Sequence, residues 1–312
     1  MSYLYGSDPA VLDSERKALS PKSLLLDIAR VGEEVIVVGE RGHVLKSRDN
    51  GVSWRQIIVP TRATLTNVYF IDERYGWISG HSGIILATSD GGNSWIRLTE
   101  PDPEISYFVT YFKNRDEGFF AGAYGEYSVS GDSGKTLESD SINENDPHFY
   151  SLAKSAEGTL YLAGEMGQLM RSLDDGKDWE ALDFPYEGSL FDVLCLRNDT
   201  LLTYGLRGHI FRSEDQGDTW EEIESGVTEM LTTGVVLASG KILLATVADQ
   251  ILMSNDQGMH FHTLDQPGID GTTGVLESRD ESTVFFCGRH GVLPVRSEDL
   301  ENKFMKATAS DE

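Results

Sequence analysis

The sequence predicts an all-β fold, a closed seven-bladed β-propeller of four-stranded antiparallel blades. Three observations carry this reading: a short phrase that recurs seven times, a near-constant interval between its copies, and strand-like runs filling each interval. The phrase is Ser/Thr-x-Asp-x-Gly-x-x-aromatic. It is complete at Ser47–Trp54, Thr88–Trp95, Ser172–Trp179, Ser213–Trp220 and Ser254–Phe261. Two copies are worn: Ser130–Leu137 ends in Leu, and Ser297–Phe304 has Glu301 where Gly belongs. The aspartates are Asp49, Asp90, Asp132, Asp174, Asp215, Asp256 and Asp299, spaced by 41, 42, 42, 41, 41 and 43 residues. Seven units of about 42 residues fill about 294 positions, which leaves no segment for a second core.

The second repeat shows how one unit becomes one blade. Asn67–Ile71 is a short apolar run, Asp72–Tyr75 a polar turn, and Gly76–Ser79 the next strand. Gly80–Gly83 turns the chain back, Ile84–Thr88 alternates into the phrase, and Trp95–Leu98 leaves it. Four short strands with turn chemistry between them are the content of one antiparallel blade. Repeats are expected to begin near Leu24, Thr66, Tyr107, Phe149, Phe191, Leu231 and Gly274, with residues 23–308 forming the propeller. Residues 1–22 read as a polar extension that drapes over a blade or caps the ring, and residues 309–312 as a tail. The continuous apolar runs, such as Val35–Val38 and Leu160–Ala163, are expected nearest the central axis. Lys303–Ala307 is expected to supply the outer strand of the last blade.

The recurring phrase has a structural chemistry. Its Asp accepts hydrogen bonds from backbone N–H groups of its own hairpin, and its Ser or Thr does so more weakly. The Gly supplies a positive φ, and the aromatic is a large wedge for the groove beside a neighbouring blade. Four of the five tryptophans are spent this way. Glu301 therefore predicts a different turn geometry in the last repeat. One Asp per turn is too few hard ligands for calcium, so no metal and no cofactor are expected. A second phrase, Gly-x-x-Gly, precedes the box in six repeats (Gly39/Gly42, Gly80/Gly83, Gly122/Gly125, Gly164/Gly167, Gly205/Gly208, Gly288/Gly291) and reads as a hairpin turn.

The chain carries 51 acidic against 26 basic residues, a formal charge of −25. Such a field repels phosphate backbones, so nucleic acid and anionic membrane surfaces are disfavoured partners. Cys195 and Cys287 lie in apolar runs of repeats five and seven and read as buried free thiols. The first residues lack the basic and apolar regions of a secretory signal, and no stretch approaches the ~18 apolar residues of a membrane span. A cytoplasmic location is expected, or incorporation into an assembly built there.

The box is the Asp-box, or BNR repeat. Paired with Gly-x-x-Gly at a period of 41–43 residues, it resembles the photosystem II stability/assembly factor family over residues 23–308. The resemblance implies a non-catalytic propeller that binds a protein partner as an assembly factor, scaffold or component of a multiprotein or phage-type assembly. Asp boxes also occur in sialidases, which makes a glycoside hydrolase or carbohydrate-binding propeller the alternative. The Arg-Ile-Pro phrase of sialidases is absent, and no carboxylate pair of the kind glycoside chemistry needs stands out. No catalytic residue is assigned.

Ligand groups on a propeller are expected on the loops opposite the boxes, held by a rigid scaffold. Repeats seven, one and two place Arg289, His290, Arg41, His43, Arg62 and His81 there, a cationic sector within an acidic chain. These six are the candidate partner-binding residues, suited to gripping carboxylates. Repeats three, four and six offer Tyr124, Glu126, Glu165 and Asp249, and the connections add Tyr107, His148 and Tyr150.

Overall fold

Seven antiparallel sheets follow one another in the computed structural model, which describes residues 8–309. In blade one, β1 (Leu25–Val31), β2 (Glu34–Gly39), β3 (His43–Ser47) and β4 (Arg55–Ile57) pair in order. Five further four-stranded blades begin at Leu65, Tyr107, Phe149, Leu190 and Leu231, and a seventh sheet begins at Thr272. Every start lies within two residues of its predicted position. The first strands of neighbouring blades pack on one another around the whole ring, and that of blade seven meets β1. The Thr273 hydroxyl donates to the Leu25 carbonyl across this seam at 2.9 Å. The ring is closed.

The expected order of burial is corrected. The continuous apolar runs form the second strand of each blade, and Ile36, Val37 and Val38 have no exposed surface. The strand nearest the axis is only half-buried, because one of its faces lines the central channel. A strand sandwiched between two blades on both faces must be apolar throughout, whereas a channel wall need not be.

Blade seven brings two further corrections. Among the described residues it has three strands, and Lys303–Ala307 is not a strand but part of a helix, α1 (Ser297–Thr308). Asp299 consequently sits in the first helical turn and is not a box aspartate. The reason is local. In blade one the box glycine, Gly51, has φ 76°, and a Cβ there would lie 2.5 Å from Phe285 of the preceding blade. Glu301 can satisfy neither condition, and the segment is otherwise made of good helix formers. Glu298 and Asp299 in the first turn and Lys306 in the last favour the helix dipole. Leu300 and Phe304, four residues apart, bury on one side against blades six and seven. Phe304 thus fills the groove where a box aromatic was expected.

The described part of the extension runs along the outer edge of blade one. Ser14 exchanges hydrogen bonds with Val59, Gln56 bonds Lys17 and Glu15, and Ala10 is buried in the core between blades one and two. This covers a strand edge that open sheets otherwise leave exposed.

Six boxes are formed, and they share one geometry. In the first, the Ser47 hydroxyl donates to Asp49 and accepts from Gly51 N–H, while Asp49 accepts from the backbone and hydroxyl of Ser53. The worn box of blade three keeps this pattern through Ser130, Asp132, Gly134 and Thr136. Losing the aromatic therefore leaves the turn intact. The Asp215 carboxyl is held down to about 2 by the Thr219 hydroxyl, then by the Thr219 N–H and the Ser213 hydroxyl.

Candidate functional site

Every first strand carries a β-bulge after its opening residue. The unpaired residues are Leu26, Thr66, Phe108, Tyr150, Phe191, Thr232 and Thr273, and all seven line one cavity on the axis, of about 570 Å³. A bulge re-aims its side chain and releases it from the ladder. Repeated around the ring, it delivers one side chain per blade to the channel.

The ring is asymmetric. Blades three, four and five contribute aromatics: Phe108 stacks near Tyr150 with centroids 6.2 Å apart, and Tyr150 lies 5.3 Å from Phe191. His81 extends this crescent at 6.0 Å from Phe108, and His148 and Tyr124, 4.5 Å apart, continue it outward. Tyr124 is 73% exposed, as its turn position with φ 55° dictates. Blades six, seven, one and two answer with Thr232, Thr273, Leu26 and Thr66.

Two carboxylates also line the channel. Asp27 of blade one accepts from Val68 N–H at 2.7 Å, Asn67 Nδ2 at 2.8 Å and Ile28 N–H at 2.8 Å. Asp192 of blade five accepts from Val193 N–H at 2.9 Å, Tyr204 at 2.7 Å, Gly234 N–H at 3.1 Å and the Ser151 hydroxyl. Both reach the next blade's first strand and so staple neighbouring blades. Burial pushes the Asp27 carboxyl up to about 7 against the hydrogen bonds of Val68 and Ile28, and burial raises Asp192 as well.

The six candidate residues are distributed differently. Arg41 stands exposed on its turn, 3.9 Å from Glu40. His43 is 2% exposed, and its ring offers no contact surface. Arg62 is held by the extension, through the Asp13 carbonyl at 2.7 Å and Glu15 at 2.9 Å. Arg289 and His290 both turn to Asp270, at 3.6 and 2.9 Å. His81 alone of the six lines the channel, with Nδ1 2.9 Å from the Ser106 hydroxyl and its pKa lowered by burial. Asp249 caps three N–H groups of the Gly268–Asp270 turn. The bulge residues were missed as a set, although each is the second residue of its blade's first strand. Among the described residues no group of three or more His, Cys, Asp or Glu is placed to hold a metal, and no helix is long and apolar enough to cross a membrane.

A model of the family described as photosynthesis system II assembly factor YCF48 matches residues 11–102 and 48–138. The chain is an Asp-box propeller that resembles this assembly-factor family. It is 28% identical over 145 residues to the photosystem II assembly lipoprotein Ycf48 of Synechococcus sp. (strain CC9902), 45% of this chain and 43% of that protein. It is 36% identical over 64 residues to the chloroplastic stability/assembly factor HCF136 of Guillardia theta, 19% of this chain and 16% of that protein. The matches thus span less than half the length of these relatives. Among solved structures, one described as YCF48 bound to D1 peptide superposes with TM-score 0.73 at 20% identity, covering 88% of this chain and 93% of that one. A streptogramin B lyase superposes at 0.75 with 13% identity, covering 87% and 93%. These likenesses are of fold, which assembly factors and lyases share. Both of these relatives are described as photosystem II assembly proteins.

Proposed function

We propose that the protein is a non-catalytic binding propeller that holds an extended segment of a protein partner at its channel mouth, as an assembly factor or scaffold. The observation that carries this reading is the crescent of Phe108, Tyr150 and Phe191, three adjacent aromatics released from their ladders and turned to the cavity. Core packing does not require them there, since blades six, seven and two place threonine at the same position. Aromatic rings are the usual anchors of a binding surface. A relative of the same fold described as bound to a D1 peptide supports a peptide as the class of ligand. The relatives lend no support to a phage-type assembly. The reading includes a cytoplasmic location, which cell fractionation tests.

The test is capture of the tagged protein from its native cell, followed by mass spectrometry, with three variants side by side. A stoichiometric partner should be retained by wild type and lost by Phe108→Ala/Tyr150→Ala. The pair Arg41→Ala/Arg289→Ala measures the cationic sector. Loss with that pair and full capture by the crescent variant would transfer the site to the outer loops.

A further inference from the structure

Resting on that reading, we infer that the held segment inserts a basic side chain, Lys or Arg, into the channel, where Asp27 and Asp192 receive it beneath the rings of Phe108, Tyr150 and Phe191. Both carboxylates line the same cavity, from blades one and five. Their hydrogen-bond donors are all neutral, and among the described residues neither has a cation within ion-pair distance. Among the described residues no Lys or Arg lines the cavity. Buried carboxylates are normally paired or protonated, so two in one channel without a charged partner favour an incoming cation. The aromatic crescent adds to it, because ring faces attract ammonium and guanidinium groups. The −25 charge of the chain steers such a segment toward the protein. A metal ion fits less well: calcium takes about six to eight oxygen ligands, and two carboxylates fall short of that number.

The cavity volume of about 570 Å³ leaves room for a long side chain and its neighbours. The raised carboxyls give the occupant a pH signature. A cation favours the ionised forms, so binding should strengthen as pH rises through about 7, where Asp27 loses its proton. The groups facing them are each other across the channel, the Cys287 thiol beside Asp27, the Tyr204 phenol on Asp192, and His81 at the mouth. Protonation of His81 at low pH repels a cation and acts in the same direction, so the aspartates must be separated from it by substitution.

The probe is a fluorescein-labelled pentapeptide, Gly-Leu-Lys-Leu-Gly, compared with versions carrying norleucine or glutamate at the centre, read by fluorescence anisotropy on the full chain. The lysine peptide should bind at least about tenfold more tightly than the norleucine peptide, as expected when a buried charge loses its partner. Asp27→Asn and Asp192→Asn should each erase most of that preference, and the double variant should abolish the strengthening between pH 5.5 and 8. Phe108→Ala should weaken lysine and norleucine peptides alike. Equal binding of those two peptides to wild type overturns the inference while leaving the partner reading intact. Failure of all three to bind overturns it too. The partner reading itself fails only if capture survives the crescent variant. Should the asparagine variants not fold, the three peptides at two pH values on wild type still decide.

Discussion

The junction between blades six and seven differs from the boxed junctions, and the contrast shows what the boxes are for. In five boxed junctions a donor from one blade reaches a carbonyl at the centre of the next blade's box. Lys46 bonds Gly91 at 2.7 Å, Trp77 bonds Ser133 at 2.8 Å and Tyr127 bonds Gly176 at 2.5 Å. Arg171 bonds Gln216 at 3.0 Å and Arg212 bonds Gln257 at 2.9 Å. Lys46 and Arg212 are consequently buried, at 2% and 6% exposure. The residue in register with them in blade six is Met253, and it faces α1 instead of a box. A box is therefore the receiving half of a polar latch between blades. Where the box is lost, the latch is lost with it, and an apolar plug of Leu300 and Phe304 takes its place.

Breaking each kind of junction sharpens the contrast. Phe304→Ala removes a 3% exposed ring from the plug and should cost about 3–5 kcal/mol, seen as a lower urea midpoint. Exchange protection should fall first in α1 and blade seven. Lys46→Ala strips the latch between blades one and two, leaving the Gly91 carbonyl without its cation and Glu34 with Arg48 alone. Its expected cost is about 3 kcal/mol, and an equal loss for Lys46→Met, which keeps the stem, would show that the charge, not the stem, holds the latch.

Acid should separate the two kinds of junction without any substitution. The box carboxyls have lowered pKa values, with Asp215 at about 2, so their stabilisation is complete above their unfolded value of about 4 and is lost as pH falls toward 2. Box amides should lose exchange protection over that window while α1, plugged by apolar groups, keeps its own. Asp27 has the opposite sign. Its folded pKa of about 7 lies above the unfolded value, so stability declines as pH rises from about 4 to 7, and Asp27→Asn should flatten that decline.

Two smaller effects test how near the junctions lie to one another. Glu301→Gly restores the box consensus but weakens a helix interior and its ion pair with Lys241, for a cost of about 1 kcal/mol. The helix should persist; a circular-dichroism change from helix to strand would mean that one residue chooses between latch and plug. Leu137→Trp should enlarge the apolar contact with the Trp77 cluster between blades two and three and raise stability by about 0.5–2 kcal/mol. In that junction Trp77, the one tryptophan outside a box, already stacks on Phe112 at 3.7 Å and latches Ser133.

The sequence alone determined the period, the blade boundaries and the turns, because these rest on local chemistry. A hairpin needs its Asp, Ser and Gly within eight residues whatever surrounds it, and Gly42, with φ 68° and the Thr61 carbonyl 2.1 Å from where a Cβ would stand, could be nothing else. It also marked Glu301 as a departure, without showing that a helix follows. The tertiary structure alone decided which strand faces the axis, what Lys46 and Arg212 reach, and which side chains share the channel. Asp27 and Asp192 stand 165 residues apart, and Phe108, Tyr150 and Phe191 about one period apart. Only closure of the ring and a bulge in every first strand bring them to one cavity, and neither leaves a mark within a single repeat. The placement of the candidate cations was decided in the same way: loop position was readable, but tertiary packing buries His43, the extension holds Arg62, and Arg289 and His290 both pair with Asp270.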